Sequence, residues 1–327
     1  MNRILITGGA GFIGSNFVFH LLETHPDCQI ICVDNLTYAG NLATLNRAFQ
    51  FPQFRFYRED ICNYSAMERI FREEQPETVV NFAAESHVDR SIVNPRTFFE
   101  TNTIGTGVLL DLCRQFPICR YHQVSTDEVY GDLPLEDKSS RFDESSPVNP
   151  HNPYSISKMA ADQLVLAYGR MYAIPVSISR CSNNYGPFQN PEKLIPLLIT
   201  RALHGKTLPI YGNGRNIRDW VFVIDHCRAI VSIIERGKSQ QVYNIGGDCE
   251  LSNIEVAEML CDNLQIDRSS IVFVRDRVGH DLRYAMNYSK LTAETGWLPS
   301  ASFAAGLKIT CEWYKNNRDW WYKATEN

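Results

Sequence analysis

The feature that most constrains this chain is a glycine-rich turn set between an apolar run and a helix-like stretch. Ile4-Leu5-Ile6-Thr7 is short and continuously apolar, as a strand buried on both faces should be. It runs into Gly8-Gly9-Ala10-Gly11-Phe12-Ile13-Gly14 and then into Ser15-Asn16-Phe17-Val18-Phe19-His20-Leu21-Leu22, which reads as a helix. Gly9, Gly11 and Gly14 fit G-x-G-x-x-G, and Gly8, Gly11 and Gly14 fit the wider G-x-x-G-x-x-G. Glycines so spaced allow a tight turn and let the backbone approach a pyrophosphate on the helix N-terminus. A second strand, Gln29 to Val33, ends in Asp34, about 20 residues past Gly14, where a carboxylate can hold an adenosine ribose diol. The same carboxylate would repel a 2'-phosphate, which favours NAD over NADP.

The alternation continues. Phe54 to Tyr57 reads as a third strand, with Asp60-Ile61 after it, placed to read an adenine edge. Ser65 to Glu74 is a predicted helix and Thr78 to Phe82 a fourth strand, leading into the small residues Ala83 and Ala84. Thr101 to Arg114 is a predicted amphipathic helix with Ile104, Val108, Leu109 and Leu112 on its apolar side. Tyr121 to Ser125 and Ala173 to Ile178 are the fifth and sixth strands. This rhythm predicts an α/β, Rossmann-like, doubly wound parallel sheet, with ligands at the carboxyl ends of its strands. Gly8, Asp34, Asp60, Ala83 and Thr126 all fall at such ends. The expected division is an NAD-binding domain over 1–180 and a smaller, interleaved C-terminal substrate-binding domain over 181–327, with 221–245 returning to the first.

Two stretches carry chemistry. Tyr154 and Lys158 stand four residues apart and share a face of a predicted helix from Tyr154 to Tyr168, with Pro153 near its start. An ammonium near a phenol stabilises phenolate and lowers the phenol's pKa. At the end of the fifth strand, Ser125-Thr126-Asp127-Glu128 supplies hydroxyls and two adjacent carboxyls. His87, in a polar loop, reads as a local hydrogen-bonding residue rather than a catalytic base. Lys138 to Pro150 reads as a polar loop able to act as a lid, and Trp297, Trp313, Trp320 and Trp321 read as packing.

Composition excludes several classes. A net charge of -5 gives no bulk basic field for nucleic acid. Ten cysteines without a C-x-x-C pair suggest reduced thiols in a cytoplasmic protein, and no metal site is expected. No leader is expected before the first strand, and no apolar run approaches the roughly 20 residues of a membrane helix.

Taken together these stretches resemble the extended short-chain dehydrogenase/reductase superfamily over nearly the whole chain. Within it they resemble the nucleoside-diphosphate-glucose 4,6-dehydratases. The match is carried by Gly8 to Gly14, Ala83 to Ser91, Ser125 to Gly131, Tyr154 to Lys158, Arg180 to Pro187, Pro191 to Pro196 and Arg218-Asp219-Trp220. Asp127-Glu128 is the discriminating piece: related 4-epimerases lack the paired acids, and related decarboxylases and GDP-mannose dehydratases put serine or threonine before the glutamate.

The resemblance implies a reaction on dTDP-glucose, with UDP-glucose as the alternative and a 4-epimerase or a dinucleotide-sensing regulator as less favoured readings. In it, Tyr154 takes the 4-hydroxyl proton while NAD accepts the carbon-4 hydride, and Thr126 bonds the same oxygen. Glu128 then removes the carbon-5 proton, a protonated Asp127 donates to the departing 6-hydroxyl, and hydride returns to carbon 6. Burial and the neighbouring carboxylate should both raise the Asp127 pKa. The resemblance also implies Phe12, Ile13, Asn35, Thr37, Ala84, Ser86, Thr101 and Asn184 as further NAD contacts. For the substrate it implies Ser86, His87, Thr126, Asn183, Lys193, Leu194, Pro209, Tyr211 and Asn253, with Arg218, Arg277 and His280 for the diphosphate and its ribose. Val278 departs from the proline usual in that last loop. A homodimer is implied through the helices beginning near Thr101 and Tyr154.

Overall fold

The structure, a computed structural model, describes residues 1–276 and 281–325, the last three of these in backbone only. The strands are β1 Arg3–Thr7, β2 Gln29–Val33, β3 Phe54–Tyr57, β4 Thr78–Asn81, β5 Arg120–Thr126, β6 Val176–Cys181, β7 Asn183–Tyr185, β8 Leu208–Tyr211, β9 Ile217–Phe222, β10 Gln241–Ile245, β11 Glu250–Ser252 and β12 Ile271–Val274. Seven of them form one sheet in the order β3-β2-β1-β4-β5-β6-β10. Every neighbouring pair in it is parallel. The chain's progress across the sheet reverses between β1 and β4, so a crevice opens at their carboxyl ends. Thr7 pairs with Val33 on one side and Asn81 on the other, which sets Gly8, Asp34 and Phe82 side by side at that crevice.

β1 shows why its sequence is continuously apolar. Ile4 and Ile6 enter a core with Phe17 and Leu21 of the Phe12–Thr24 helix and Ile230 and Ile233 of the Val223–Arg236 helix. Leu5 points the other way, into a core with Phe71 of the Tyr64–Glu74 helix, Leu112 of the Thr106–Gln115 helix and Val165 of the Pro153–Tyr172 helix. Alternate residues face opposite sides of a strand, so a sheet covered twice needs no polar face.

Two small sheets lie beyond the large one. β9 pairs parallel with β7 and antiparallel with β11, and β8 pairs parallel with β12. They share a core that includes Tyr185, Leu198, Trp220, Leu260, Leu307 and Trp321. The segment from Val221 onward is split between the two units. Val221 and Phe222 close β9, opposite Asn184 and Tyr185, whereas Val223 opens the helix that covers the large sheet, and β10 extends that sheet beside β6.

Two sequence expectations change here. The predicted helix from Thr101 is a π-helical stretch, Phe99–Gly105, followed by an α-helix, Thr106–Gln115. Its i→i+5 bonds add a residue to the turn and rotate the apolar stripe. Ile104 is therefore 59% exposed, while Leu109 and Leu112 remain in the core. The loop around Lys138 to Pro150 is pinned rather than lid-like. Phe142 donates its N–H to Ala285 (2.9 Å), Asn287 donates to Phe142 (2.8 Å), and the fully buried Arg283 donates to the Asp137 carbonyl (2.8 Å). The Phe142 ring also stacks on Tyr130 at 5.0 Å.

Among the described residues no helix is long and apolar enough to cross a membrane.

Candidate active site

The glycine turn is built for close approach. Gly8 has φ +69°, and a Cβ there would meet the Ala83 backbone nitrogen at 2.6 Å. A Cβ on Gly14 would meet the Gly8 carbonyl oxygen at 2.3 Å. The Phe12–Thr24 helix begins at Gly11 with no side chain capping it. Its first N–H groups are left to an anion, which suits the pyrophosphate of a dinucleotide. Asp34 accepts from the N–H of Ala10 (2.9 Å) and of Leu36 (2.8 Å), which fixes its carboxylate at the end of β2. Asp60 accepts from Asn35 Nδ2 and from the Cys62 N–H, both at 2.8 Å.

From this turn a cavity of about 310 Å³ runs to the end of β5. Its wall holds Gly8, Gly11, Phe12, Ile13, Gly14, Asp34, Asn35, Thr37, Asp60, Ile61, Ala83, Ala84, Ser86, Thr101 and Asn184, and at its other end Thr126, Asp127, Glu128, Tyr154 and Lys158. Asn183 and Lys193 line it as well. The glycine cradle, the acid at the end of β2 and a cavity wall that runs from that cradle to the end of β5 together fit NAD. The wall also includes Glu85, Gln189 and Asn190, which sequence reading passed over. Glu85 sits inside the Ala83 to Ser91 stretch. Gln189 lies in a turn-rich loop whose signal is only conformational, yet its Nε2 donates to the Asn184 carbonyl at 2.9 Å.

The reactive end is held by two caps. The Thr126 hydroxyl closes the single turn Asp127–Tyr130 by accepting the Glu128 N–H (3.3 Å), and it donates to Asp127 Oδ1 (3.2 Å). Asn152 caps the Pro153–Tyr172 helix: its Oδ1 accepts the Ser155 N–H at 2.9 Å, and Pro153 takes the first helical position. Tyr154 and Lys158 then project from the first turns, and both are nearly buried. Asp127 is buried too, and its Oδ2 has no hydrogen-bond partner among the described residues. Burial first, then the Glu128 charge, pushes the Asp127 carboxyl well above its usual range, which favours the protonated form.

Tyr154 differs from expectation. Burial, followed by Glu128, drives its phenol well above its ordinary value, and the Thr126 hydroxyl opposes this. Lys158 turns its ammonium to the Val124 carbonyl (2.7 Å) and is itself lowered by burial. The local environment of the protein alone therefore favours the phenol, because desolvation and a nearby carboxylate outweigh an ammonium engaged elsewhere.

The remaining candidates are not among the residues that line this cavity, although the Arg218 charge reaches Asp127 and opposes the rise of its pKa. His87 precedes the short Val88–Val93 helix, with Nε2 3.6 Å from Glu192. Leu194 opens the Leu194–Leu203 helix, Pro209 and Tyr211 lie in β8, and Asn253 opens the Asn253–Leu264 helix. Arg218, in β9, donates to the Asp281 carbonyl (2.9 Å) and lies 4.7 Å from the Tyr284 ring centroid. Arg277 and His280 lie outside the described residues. Asp132, His151 and Asp281 bring one ligand atom each within 4.8 Å of one another. These groups bond within the protein: His151 Nδ1 lies 2.9 Å from Asp281 Oδ1, and Leu282 donates to Asp132 at 3.0 Å.

Comparison with known proteins fits this geometry. The family model described as GDP-mannose 4,6 dehydratase matches residues 5–310. A dTDP-glucose 4,6-dehydratase of Escherichia coli is 44% identical, covering 99% of this chain and 96% of its own length. The crystal structure of dTDP-glucose 4,6-dehydratase from Bacillus anthracis, in complex with NAD, has a TM-score of 0.93 at 46% identity and covers 99% of this chain and 100% of that one. The Streptomyces venezuelae dTDP-glucose 4,6-dehydratase, solved with NAD and a TDP ligand, has a TM-score of 0.94 at 47% identity, covering 98% and 99%. The chain belongs to the GDP-mannose 4,6 dehydratase family, alongside the dTDP-glucose 4,6-dehydratases that resemble it from end to end.

Proposed function

We propose that this protein is a hydro-lyase that converts dTDP-glucose to dTDP-4-keto-6-deoxyglucose and water, with NAD as its resident cofactor. The observation that carries this reading is Asp127: a buried carboxyl set beside Glu128, its pKa raised by burial and by that neighbour, facing a cavity continuous with a dinucleotide turn. Oxidation or epimerisation at carbon 4 needs no such pair. Elimination of water needs an acid for the leaving hydroxyl and a base for the carbon-5 proton.

Gly8 to Gly14, Asp34, Asp60 and the Ala83-Ala84 wall would hold the cofactor. Bound there, NAD supplies a reversible hydride acceptor for the sugar and a ring charge that favours phenolate. Tyr154 then takes the 4-hydroxyl proton, with the Thr126 hydroxyl shared between that oxygen and Asp127. Glu128 takes the proton at carbon 5, acidified by the new ketone, and Asp127 protonates the departing 6-hydroxyl. Glu128 returns a proton to carbon 5 as carbon 6 is reduced. Buried Asp127 resists ionisation, which suits an acid that must be loaded before each elimination.

The same reading assigns residues 1–180, with the return over 221–245, to the cofactor and 181–327 to the nucleotide sugar. It assigns Ser86, Asn183, Lys193 and Arg218 to the substrate, and it describes a cytoplasmic homodimer.

The test is a product assay on purified protein with no added NAD, given dTDP-glucose and UDP-glucose separately and followed at carbon 6 by NMR. A 6-methyl signal beside a 4-ketone, stronger with dTDP-glucose, is expected. The reverse preference would replace the nucleotide and keep the chemistry. Galactose configuration without deoxygenation would remove the assignment of Asp127 and Glu128.

A further inference from the structure

Three residues that do not line the cavity tie its walls together. Tyr38 sits between Thr37 and Ala39, Arg90 lies four residues beyond Ser86, and Glu192 sits just before Lys193; Thr37, Ala39, Ser86 and Lys193 are all wall residues. The Arg90 guanidinium lies 3.8 Å from the centroid of the Tyr38 ring. From its edge, Nη2 donates to Glu192 Oε1 at 2.8 Å. One planar cation thus stacks on a residue from the loop after β2 and pairs with a residue from the loop before the Leu194–Leu203 helix, while its own helix follows β4.

The partners are held in turn. The Tyr38 phenol stands beside the Glu85 carboxyl, and the Lys193 ammonium donates to the Ser86 carbonyl at 3.0 Å. An exposed ion pair alone contributes little. A guanidinium engaged on its face and its edge at once is different, because the two contacts order the same group. Each of the three tied segments contributes wall residues to the cavity that also holds Asp34: Thr37 and Ala39, Ser86, and Lys193. A dinucleotide lying along those walls leaves more slowly when they are held to one another.

We propose that Tyr38, Arg90 and Glu192 form a clasp that slows release of bound NAD and keeps the cofactor in place between turnovers. The clasp rests on NAD as cofactor and not on the identity of the sugar. In the reaction proposed above the cofactor ends each turn as it began, so slow release does not limit turnover.

The test follows cofactor release, not activity. Holoenzyme is loaded with radiolabelled NAD, chased with excess unlabelled NAD, and desalted at intervals. Arg90→Ala should release label about tenfold faster than the unmodified protein. Glu192→Gln and Tyr38→Leu should each release it faster by a smaller factor. Arg90→Lys, which keeps the ion pair and loses the flat stack, should fall between. Combining Glu192→Gln with Arg90→Ala should add nothing, since both act through one group. Release unchanged in Arg90→Ala overturns the clasp, as does a double variant whose effects multiply. If Arg90→Ala does not fold, Arg90→Lys and Glu192→Gln decide the matter by the same measure. An unmodified protein that retains no label at all removes NAD as resident cofactor, a separate failure.

Discussion

Asn152 and Glu128 are joined by a hydrogen bond of 3.3 Å from the Asn152 Nδ2 to the Glu128 Oε2. The other end of that carboxamide caps the helix carrying Tyr154 and Lys158. A single side chain therefore sets the proposed base against the helix that holds the proposed oxidation pair. Asn152→Ala should lose the cap, costing about 1 kcal/mol in denaturant unfolding. Asn152→Asp keeps a capping oxygen and places a carboxylate against Glu128, so it should spare stability and shift solvent-deuterium exchange at carbon 5 to higher pH. An exchange profile unchanged in Asn152→Asp would separate Asn152 from the base.

Asp127 sets a pH dependence with a definite sign. The folded protein binds its proton more tightly than the unfolded chain, whose ordinary value is near 3.8. Stability contributed by this group is therefore full below that value and falls as pH rises toward the folded pKa. Asp127→Asn removes the slope and should be more stable than the parent at pH 8, by about 1 kcal/mol or more. It should also lose the 6-methyl product while still oxidising carbon 4. Thermal unfolding of the two proteins across pH checks the first statement, and NADH absorbance checks the second.

Beneath Lys158 lies a buried ion pair. The Arg180 Nε donates to Asp162 Oδ2 at 2.9 Å, and Arg180 also faces the Tyr130 ring at 4.8 Å. Asp162→Asn strands a guanidinium in the core and should destabilise by about 3 kcal/mol. Asp162→Leu combined with Arg180→Met should recover most of that loss, because the desolvation penalty goes with the charges. Urea midpoints of the single and double variants test this, and a double variant no better than the single would show that the site needs the pair itself.

The parts of the site legible in the sequence are those where local chemistry and strand position agree. Gly8 to Gly14 is bounded by an apolar strand and a helix, and Asp34 ends the next strand, so each meets the cavity through backbone periodicity alone. Tyr154 and Lys158 follow from helical spacing, and the raised pKa of Asp127 follows from burial at a strand end beside a second acid. What was not legible depends on contacts distant in sequence. The phenol of Tyr154 is set by Glu128 and by burial from several segments. The division at Phe222 and Val223 depends on β9 choosing β7 as its partner. Trp320 donates to Thr44 (3.0 Å), a tie across the chain that no local pattern records. The exposure of Ile104 arises from a π-helical turn, which leaves no periodic signature in a short segment.

That turn leads to a prediction about assembly. Val93, Phe99 and Ile104 are 86%, 37% and 59% exposed on the stretch that packs against the Pro153–Tyr172 helix, and Ile156 on that helix is 37% exposed. Large apolar side chains left exposed on segments that pack against one another mark an interaction surface. In the proposed homodimer this face meets its copy, and the symmetry of such an interface repeats any inserted charge on both sides. Ile104→Glu with Val93→Asp should therefore convert the protein to the 37.4 kDa monomer in sedimentation at micromolar concentration. The helix bearing Tyr154 would lose its cover, and the unfolding midpoint should fall with it. An unmodified protein that already sediments at 37.4 kDa would leave this face without a partner copy and end the dimer proposal.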